Sequence, residues 1–125
     1  YKHSKKCVKK LKSHGFKIFV VTNQPDIGKK LLRKKELNKM HKILKKKTNI
    51  KKIYTCTHTS EQYCTCRKPK PGMLIKAAKV YNIDLKKSLL IGDKTIYIDT
   101  DINAKIRNYI HFKKNNILEP TCILE

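Results

Sequence analysis

The chain has 125 residues and a formal net charge of +22. That length supports one domain around a modest core, and no apolar run is long enough to cross a bilayer. The charge raises nucleic acid as a partner, but every basic residue except Arg33, Arg67 and Arg107 is a lysine. Base readout and phosphate forks prefer arginine, and no aromatic residues interleave with the lysines as a stacking surface requires. Solvated helix faces are therefore favoured over a nucleic-acid footprint.

The chain opens at Tyr1 without methionine, and Tyr1 to His14 reads as the middle of a larger unit, so a truncated N-terminus is expected. No signal-peptide pattern is visible in the residues present. Lys5 to Ser13 reads as the end of a helix, stopped at His14-Gly15. Ile18-Phe19-Val20-Val21 is an unbroken apolar run, rich in β-branched residues, that predicts a buried parallel strand, ending at Thr22-Asn23-Gln24-Pro25-Asp26. A helix is expected from about Lys29 to Lys46, with Leu37, Met40 and Leu44 toward the core. Lys52 to Thr55 suggests a short strand.

Pro71-Gly72 opens a further helix whose buried stripe is Met73, Leu74, Ala77, Ala78 and Tyr81. Ser88 to Ile91 is a second buried strand, closed by Gly92-Asp93, and Thr95 to Ile98 is a third strand candidate. Asn115 to Leu124 suggests a last helix near Pro120. Alternating helices and strands define an open α/β sheet. Ligands of such sheets bind outside the carboxyl ends of the strands, where Thr22 and Asp93 both stand.

The strongest local pattern is Cys56-x-His58 followed by Cys64-x-Cys66. Three thiolates and an imidazole suit a closed, tetrahedral and hence structural zinc site, with the zinc loop spanning about 56–66. Its alternatives are unconnected thiols or a disulfide. The spacing fits a metal better than a disulfide framework, and a reducing, cytoplasmic setting follows. Cys7 and Cys122 read as ordinary thiols. Directly behind the loop, Arg67-Lys68-Pro69-Lys70-Pro71-Gly72 is a stiff basic turn able to hold an anion; on composition alone it is one more solvated stretch. Thr22 could donate to a phosphoryl oxygen, and Asp93 could hold magnesium or serve as a turn or cap aspartate.

In this order, V-T-N-Q, C-x-H…C-x-C, R-K-P-K-P-G-M and I-G-D-K resemble the zinc-containing histidinol-phosphate and heptose-bisphosphate branch of the haloacid dehalogenase superfamily. The likeness runs from about Gly15 to Asp93. It implies a partial, Rossmann-like haloacid dehalogenase sandwich with a parallel sheet and a zinc loop insertion, one partial domain over 1–125. It implies a magnesium-dependent phosphomonoesterase that acts on a small phosphorylated sugar through an aspartyl-phosphate intermediate. That substrate is the one partner expected, for a monomer that engages neither nucleic acid nor membrane.

The resemblance also assigns roles. Thr22 and Lys68 match groups that steady the phosphoryl group and neutralise its charge. Asn23, Gln24, Arg67 and Lys94 match substrate contacts. Asp93 matches a magnesium ligand, and Cys56, His58, Cys64 and Cys66 match the zinc ligands. The nucleophile and the acid/base aspartate lie on an N-terminal strand in these relatives, and that strand has no counterpart here, so the chain alone is expected to be inactive. Tyr97 stands where a further acidic residue is usual, which suggests a deletion behind Asp93 and loss of the helix that follows. Asp99-Thr100-Asp101 repeats the Asp-x-Asp spacing, but Ile102 stands where the pattern has glycine, and its place in chain order is wrong. The reading from another class is a non-catalytic, zinc-stabilised basic module that binds nucleic acid or another polyanion.

Overall fold

The computed structural model describes residues 4–92, 96–106, 108–111 and 122–124. The first helix, α1 (Ser4–Ser13), ends before Gly15, whose φ of 85° lies in the left-handed region that glycine enters without steric cost. Strand β1 (Ile18–Asn23) follows, with its first four residues buried. Ile18 and Val20 join one core cluster, and Phe19 and Val21 the other. A strand covered on both faces must be apolar at every position, which accounts for the unbroken run.

The expected helix from Lys29 is divided. A single turn, α2 (Pro25–Gly28), is followed by Lys30 at φ 59° and then by α3 (Lys34–Thr48). Pro25 sets a helical φ at the first position. The Gly28 amide, however, bonds the Thr57 carbonyl at 3.0 Å, which draws the chain to the end of the next strand and away from a continuous helix. α3 restarts where the Arg33 amide bonds the Glu36 carboxylate at 3.0 Å, and it stops at Asn49 in the left-handed region. Leu37 is buried and Leu44 half-buried, but Met40 is 52% exposed, contrary to its expected place in the core. The inward stripe runs Leu37, Leu44, Thr48, and Met40 lies about 60° around the helix from it.

Strand β2 (Lys52–Cys56) runs parallel to β1, with Thr55 opposite Thr22 and Cys56 opposite Asn23. α4 (Gly72–Tyr81) buries Met73, Leu74 and Ala77 and half-buries Ala78 and Tyr81, the stripe expected from their spacing. Strands β3 (Leu89–Gly92) and β4 (Asn108–His111) are parallel to each other.

Two expectations are corrected. Residues 96–98, expected in a strand, open the helix α5 (Ile96–Ala104). Thr100 and Ala104, four residues apart, are both buried, and packing along this stripe overrides the strand propensity of Ile96-Tyr97-Ile98. A helix therefore does follow β3, and Asp99 sits exposed on it rather than at a strand end. The second correction is Cys122–Leu124, expected in a helix, which forms the strand β5. Backbone groups of two neighbouring strands are open to it there, and a short apolar segment meets them best as a strand. The rest of that expected helix, residues 115–121, lies outside the described residues.

The sheet order is β2-β1-β5-β3-β4. β5 is antiparallel to both β1 and β3, so the other four strands all run one way. Val8 and Leu11 of α1 and Leu44 of α3 pack on the Ile18 and Val20 face. Met73 and Leu74 of α4 and Ala104 of α5 pack on the Phe19 and Val21 face. The result is an α/β sandwich whose parallel strands bring Thr22, Asn23, Cys56 and Gly92 to one edge. Among the described residues, no helix is long and apolar enough to cross a membrane.

Candidate active-site edge and zinc loop

β2 ends at Cys56, and the chain then loops through a short helical turn, Ser60–Gln62, before returning to α4. The return brings four donors together. The Sγ atoms of Cys56, Cys64 and Cys66 and a ring nitrogen of His58 all lie within 4.8 Å of one another. Cys56 Sγ is 3.6 Å from Cys64 Sγ and 3.5 Å from His58 Nδ1. Cys66 Sγ is 3.5 Å from Cys64 Sγ and 3.3 Å from His58 Nδ1. Zinc–sulfur bonds of about 2.3 Å set the corners of a tetrahedron about 3.7 Å apart, so the spacing and the donor chemistry both fit zinc.

Without an ion, the thiols compete for protons. Burial, reinforced by the Cys66 thiol, pushes Cys56 up to about 12. For Cys64, burial pushes upward, but the Arg67 backbone and the neighbouring thiols stabilise the thiolate and bring it down to about 7. A cation at the centre would replace these shared protons with charge.

The loop is clamped on both flanks by close backbone approach. A Cβ on Gly28 would stand 2.6 Å from the Thr57 carbonyl oxygen, and one on Gly72 would collide with the Thr65 carbonyl. The Gly72 amide also bonds that Thr65 carbonyl at 3.1 Å. Lys70 Nζ donates to the Cys64 carbonyl at 2.9 Å, and Arg67 Nη1 donates to the His58 carbonyl at 3.1 Å.

The loop's exit carries Lys68 inward. Its ammonium donates to the Val21 carbonyl at 3.0 Å, and the residue is only 4% exposed. Asn23 holds the same residue by its backbone: Asn23 Oδ1 accepts from the Lys68 amide at 3.1 Å, and Asn23 Nδ2 donates to the Lys68 carbonyl at 3.2 Å. Gln24 Nε2 donates to Thr22 Oγ1 at 3.1 Å. Thus Thr22, Asn23, Gln24 and Lys68 meet at the end of β1, and Arg67 ties this corner to the cysteine–histidine loop. Asp93 and Lys94 lie outside the described residues. Among the described residues, the cysteine–histidine group is the only cluster of potential metal ligands.

Three contributors were missed in the sequence. Gly28 carried no reading and Gly72 was read only as the end of the basic turn before a helix, so their close backbone approaches were missed; a glycine beside a Cys/His-rich loop is the signal that could have flagged them. Asn103 of α5 donates to the Pro69 carbonyl at 3.0 Å and braces the basic turn; its sequence position offers no such cue.

A buried cation, a strand-end hydroxyl and a cluster of potential metal ligands thus stand at one edge of a haloacid dehalogenase-type sandwich. The sequence profile of the polynucleotide kinase 3 phosphatase family matches residues 1–119. A D-glycero-beta-D-manno-heptose-1,7-bisphosphate 7-phosphatase from Helicobacter pylori is 34% identical over 119 residues, covering 90% of this chain and 69% of the relative. The histidine biosynthesis bifunctional protein HisB of Blochmanniella floridana is 39% identical over 97 residues, covering 74% of this chain and 26% of that protein. Among solved structures, a D,D-heptose 1.7-bisphosphate phosphatase from B. bronchiseptica, in complex with magnesium and phosphate, matches with a TM-score of 0.69 and 28% identity. The match covers 79% of this chain and 58% of that one. The chain belongs to the polynucleotide kinase 3 phosphatase family, among relatives that are heptose-bisphosphate phosphatases of the haloacid dehalogenase type.

Proposed function

We propose that this chain forms the phosphoryl-binding edge of a magnesium-dependent phosphomonoesterase acting on a heptose bisphosphate. The observation that carries the reading is Lys68: its ammonium, 4% exposed, lies 3.0 Å from the carbonyl of Val21, the residue before Thr22. An ammonium at that place adds fixed positive charge beside the strand-end hydroxyl, which suits a phosphoryl group at this edge. The names of the relatives supply the substrate class.

In this reading, Thr22 donates its hydroxyl to one phosphoryl oxygen, and Lys68 neutralises charge on the group. Arg67, anchored on the His58 carbonyl, serves the rest of the substrate with Asn23 and Gln24, and the resemblance adds Lys94 to these contacts. Magnesium, assigned to Asp93 by the resemblance, supplies charge stabilisation at the phosphoryl oxygens when bound. Zinc on Cys56, His58, Cys64 and Cys66 orders the loop that aims Arg67 and Lys68, and takes no part in the reaction.

The Asp-x-Asp pair that the resemblance assigns to the nucleophile and the acid/base has one match in this sequence, Asp99 and Asp101, and both belong to α5. We therefore expect the 125-residue chain to bind phosphate without releasing it from a sugar phosphate. The test has two arms. Titration with inorganic phosphate should show weak, saturable binding that falls at least about tenfold in Lys68→Ala. Incubation with magnesium and heptose 1,7-bisphosphate should release no phosphate above background. Unchanged phosphate affinity in Lys68→Ala would overturn the site, and magnesium-dependent turnover lost in Asp99→Asn would return the catalytic role to α5.

A further inference from the structure

The two helical layers that cover the sheet carry different charge. α1 and α3, on the Ile18 and Val20 face, together hold twelve lysines and a single acidic residue, Glu36. Every one of those lysines is exposed, and Glu36 is already paired with Arg33 at 2.9 Å. α4 and α5, on the opposite face, hold two lysines and two aspartates between them. A lysine-rich composition by itself predicts no such sidedness.

We propose that the α1/α3 layer is a docking surface for an anionic lipid bilayer. The lysines engage lipid headgroups, and Ile43 enters the boundary between headgroups and acyl chains. The sequence predicted no membrane partner because nothing in it spans a bilayer, but a surface contact needs no span. The inference does not rest on the phosphatase reading.

Three observations favour a lipid surface over another polyanion. The first is the shape of the charge. At 100° per residue, Lys35, Lys39, Lys42 and Lys46 form one stripe opposite the inward-facing Leu37 and Leu44. α3 is fifteen residues long, about 22 Å, and α1 packs beside it, so the layer offers a broad basic face. The second is the type of cation. An ammonium acts as a point charge and needs no fixed fork, which suits headgroups that move laterally. The third is apolar exposure. Met40 and Ile43 are both more than half exposed, and Ile43 borders the lysine stripe. An exposed aliphatic side chain among lysines gains nothing from a phosphate backbone, whereas a bilayer buries it. α1 and α3 also lack the Phe, Tyr and Trp side chains on which bases stack.

The test is co-sedimentation of the full 125-residue chain with vesicles. One set is phosphatidylcholine alone, and the other is about one-third phosphatidylserine. At about 0.1 M salt, the anionic set should bind at least about a hundredfold more tightly. Lys35→Gln, Lys39→Gln, Lys42→Gln and Lys46→Gln, made together, should weaken that binding by at least about a hundredfold. The equal-charge control exchanges four exposed lysines outside the layer: Lys76→Gln, Lys79→Gln, Lys86→Gln and Lys87→Gln. It should weaken binding by less than about fivefold, because charges beyond a Debye length from the surface are screened. Ile43→Ser should weaken vesicle binding about fivefold and leave binding to duplex DNA unchanged. Equal binding to the two vesicle sets overturns the proposal, as does an equal loss in the two fourfold variants. An Ile43→Ser chain that binds vesicles as the unaltered chain does also overturns it. Tighter binding to duplex DNA than to the anionic vesicles would assign the face to nucleic acid instead. If the α3 variant is not folded by circular dichroism, the two vesicle sets and Ile43→Ser decide the matter.

Discussion

The corner beside the cysteine–histidine loop and the outer surface of α3 both carry lysines, and they use them in opposite ways. In the corner, Lys68 is buried on Val21 and Lys70 reaches the Cys64 carbonyl. Around them, Asn23, Gly28, Arg67 and Gly72 each bond or abut a specific backbone group. On α3, Lys34, Lys35, Lys39, Lys42 and Lys45 are exposed, next to the exposed Met40 and Ile43. Its one ion pair in the described residues, Arg33 with Glu36, is at the surface, where such pairs contribute little. A lysine's chemistry is thus decided by what the chain brings around it. Charge count alone ranks the two regions in the wrong order.

The sharpest way to break this contrast is to remove the proposed metal. With zinc on Cys56, His58, Cys64 and Cys66, as proposed, metal binding and loop order are one process in a loop with so little apolar content. Chelation, or Cys64→Ser, should lower the thermal midpoint by more than about 10 °C and abolish stoichiometric zinc. Elemental analysis and a melting scan check this, and full zinc content in Cys64→Ser would refute the ligand assignment. Acid should act in the same direction. Cys64 in the metal-free loop takes up its proton near pH 7, and Cys56 holds its own far above that. Protons compete for the ligand sulfurs, so zinc affinity should fall as the pH drops below about 7 and rise above it. A zinc-release titration with a chromogenic chelator measures this.

Gly72→Ala tests the packing of the same corner. The new methyl meets the Thr65 carbonyl, so the strand of loop behind Cys64 must shift. A cost of about 1–3 kcal/mol is expected in urea unfolding. Lys68→Met removes the donor from the Val21 carbonyl while keeping the side chain's length. Its expected cost is at least about 1–2 kcal/mol, the penalty for leaving that one buried acceptor unsatisfied. By contrast, Met40→Lys on α3 should change stability by less than about 0.5 kcal/mol. A loss as large as that of Gly72→Ala would show that Met40 is covered in solution, and the contrast between the regions would collapse.

Much of the architecture was legible in the order of residues alone. Ile18–Val21 announced a doubly covered strand because apolar residues at both odd and even positions suit a strand with no solvent face. The α4 stripe was legible for the matching reason at helical period. The metal loop was legible because its four donors lie close together in sequence, so chain proximity almost guarantees spatial proximity. Residues 96–98 misled because a run of three β-branched and aromatic residues is ambiguous, and what decides it is the packing of α5 on β3 and β4, with Thr100 and Ala104 buried. Met40 misled because a helix presents more apolar residues than its buried stripe can use.

What the sequence determined by itself is the local chemistry: the grouping of Cys56, His58, Cys64 and Cys66, the strand-end hydroxyl of Thr22, and the basic turn at Arg67 and Lys68. These follow from residue type and short spacing, where the backbone leaves few choices. What only the tertiary structure decided is how distant segments share one edge. Asn23 grips Lys68 across 45 residues of chain, Asn103 braces Pro69 across 34, and β5 enters the sheet between β1 and β3 rather than at its margin. Such contacts depend on which backbone groups remain unsatisfied once the core has packed, and no local pattern records that.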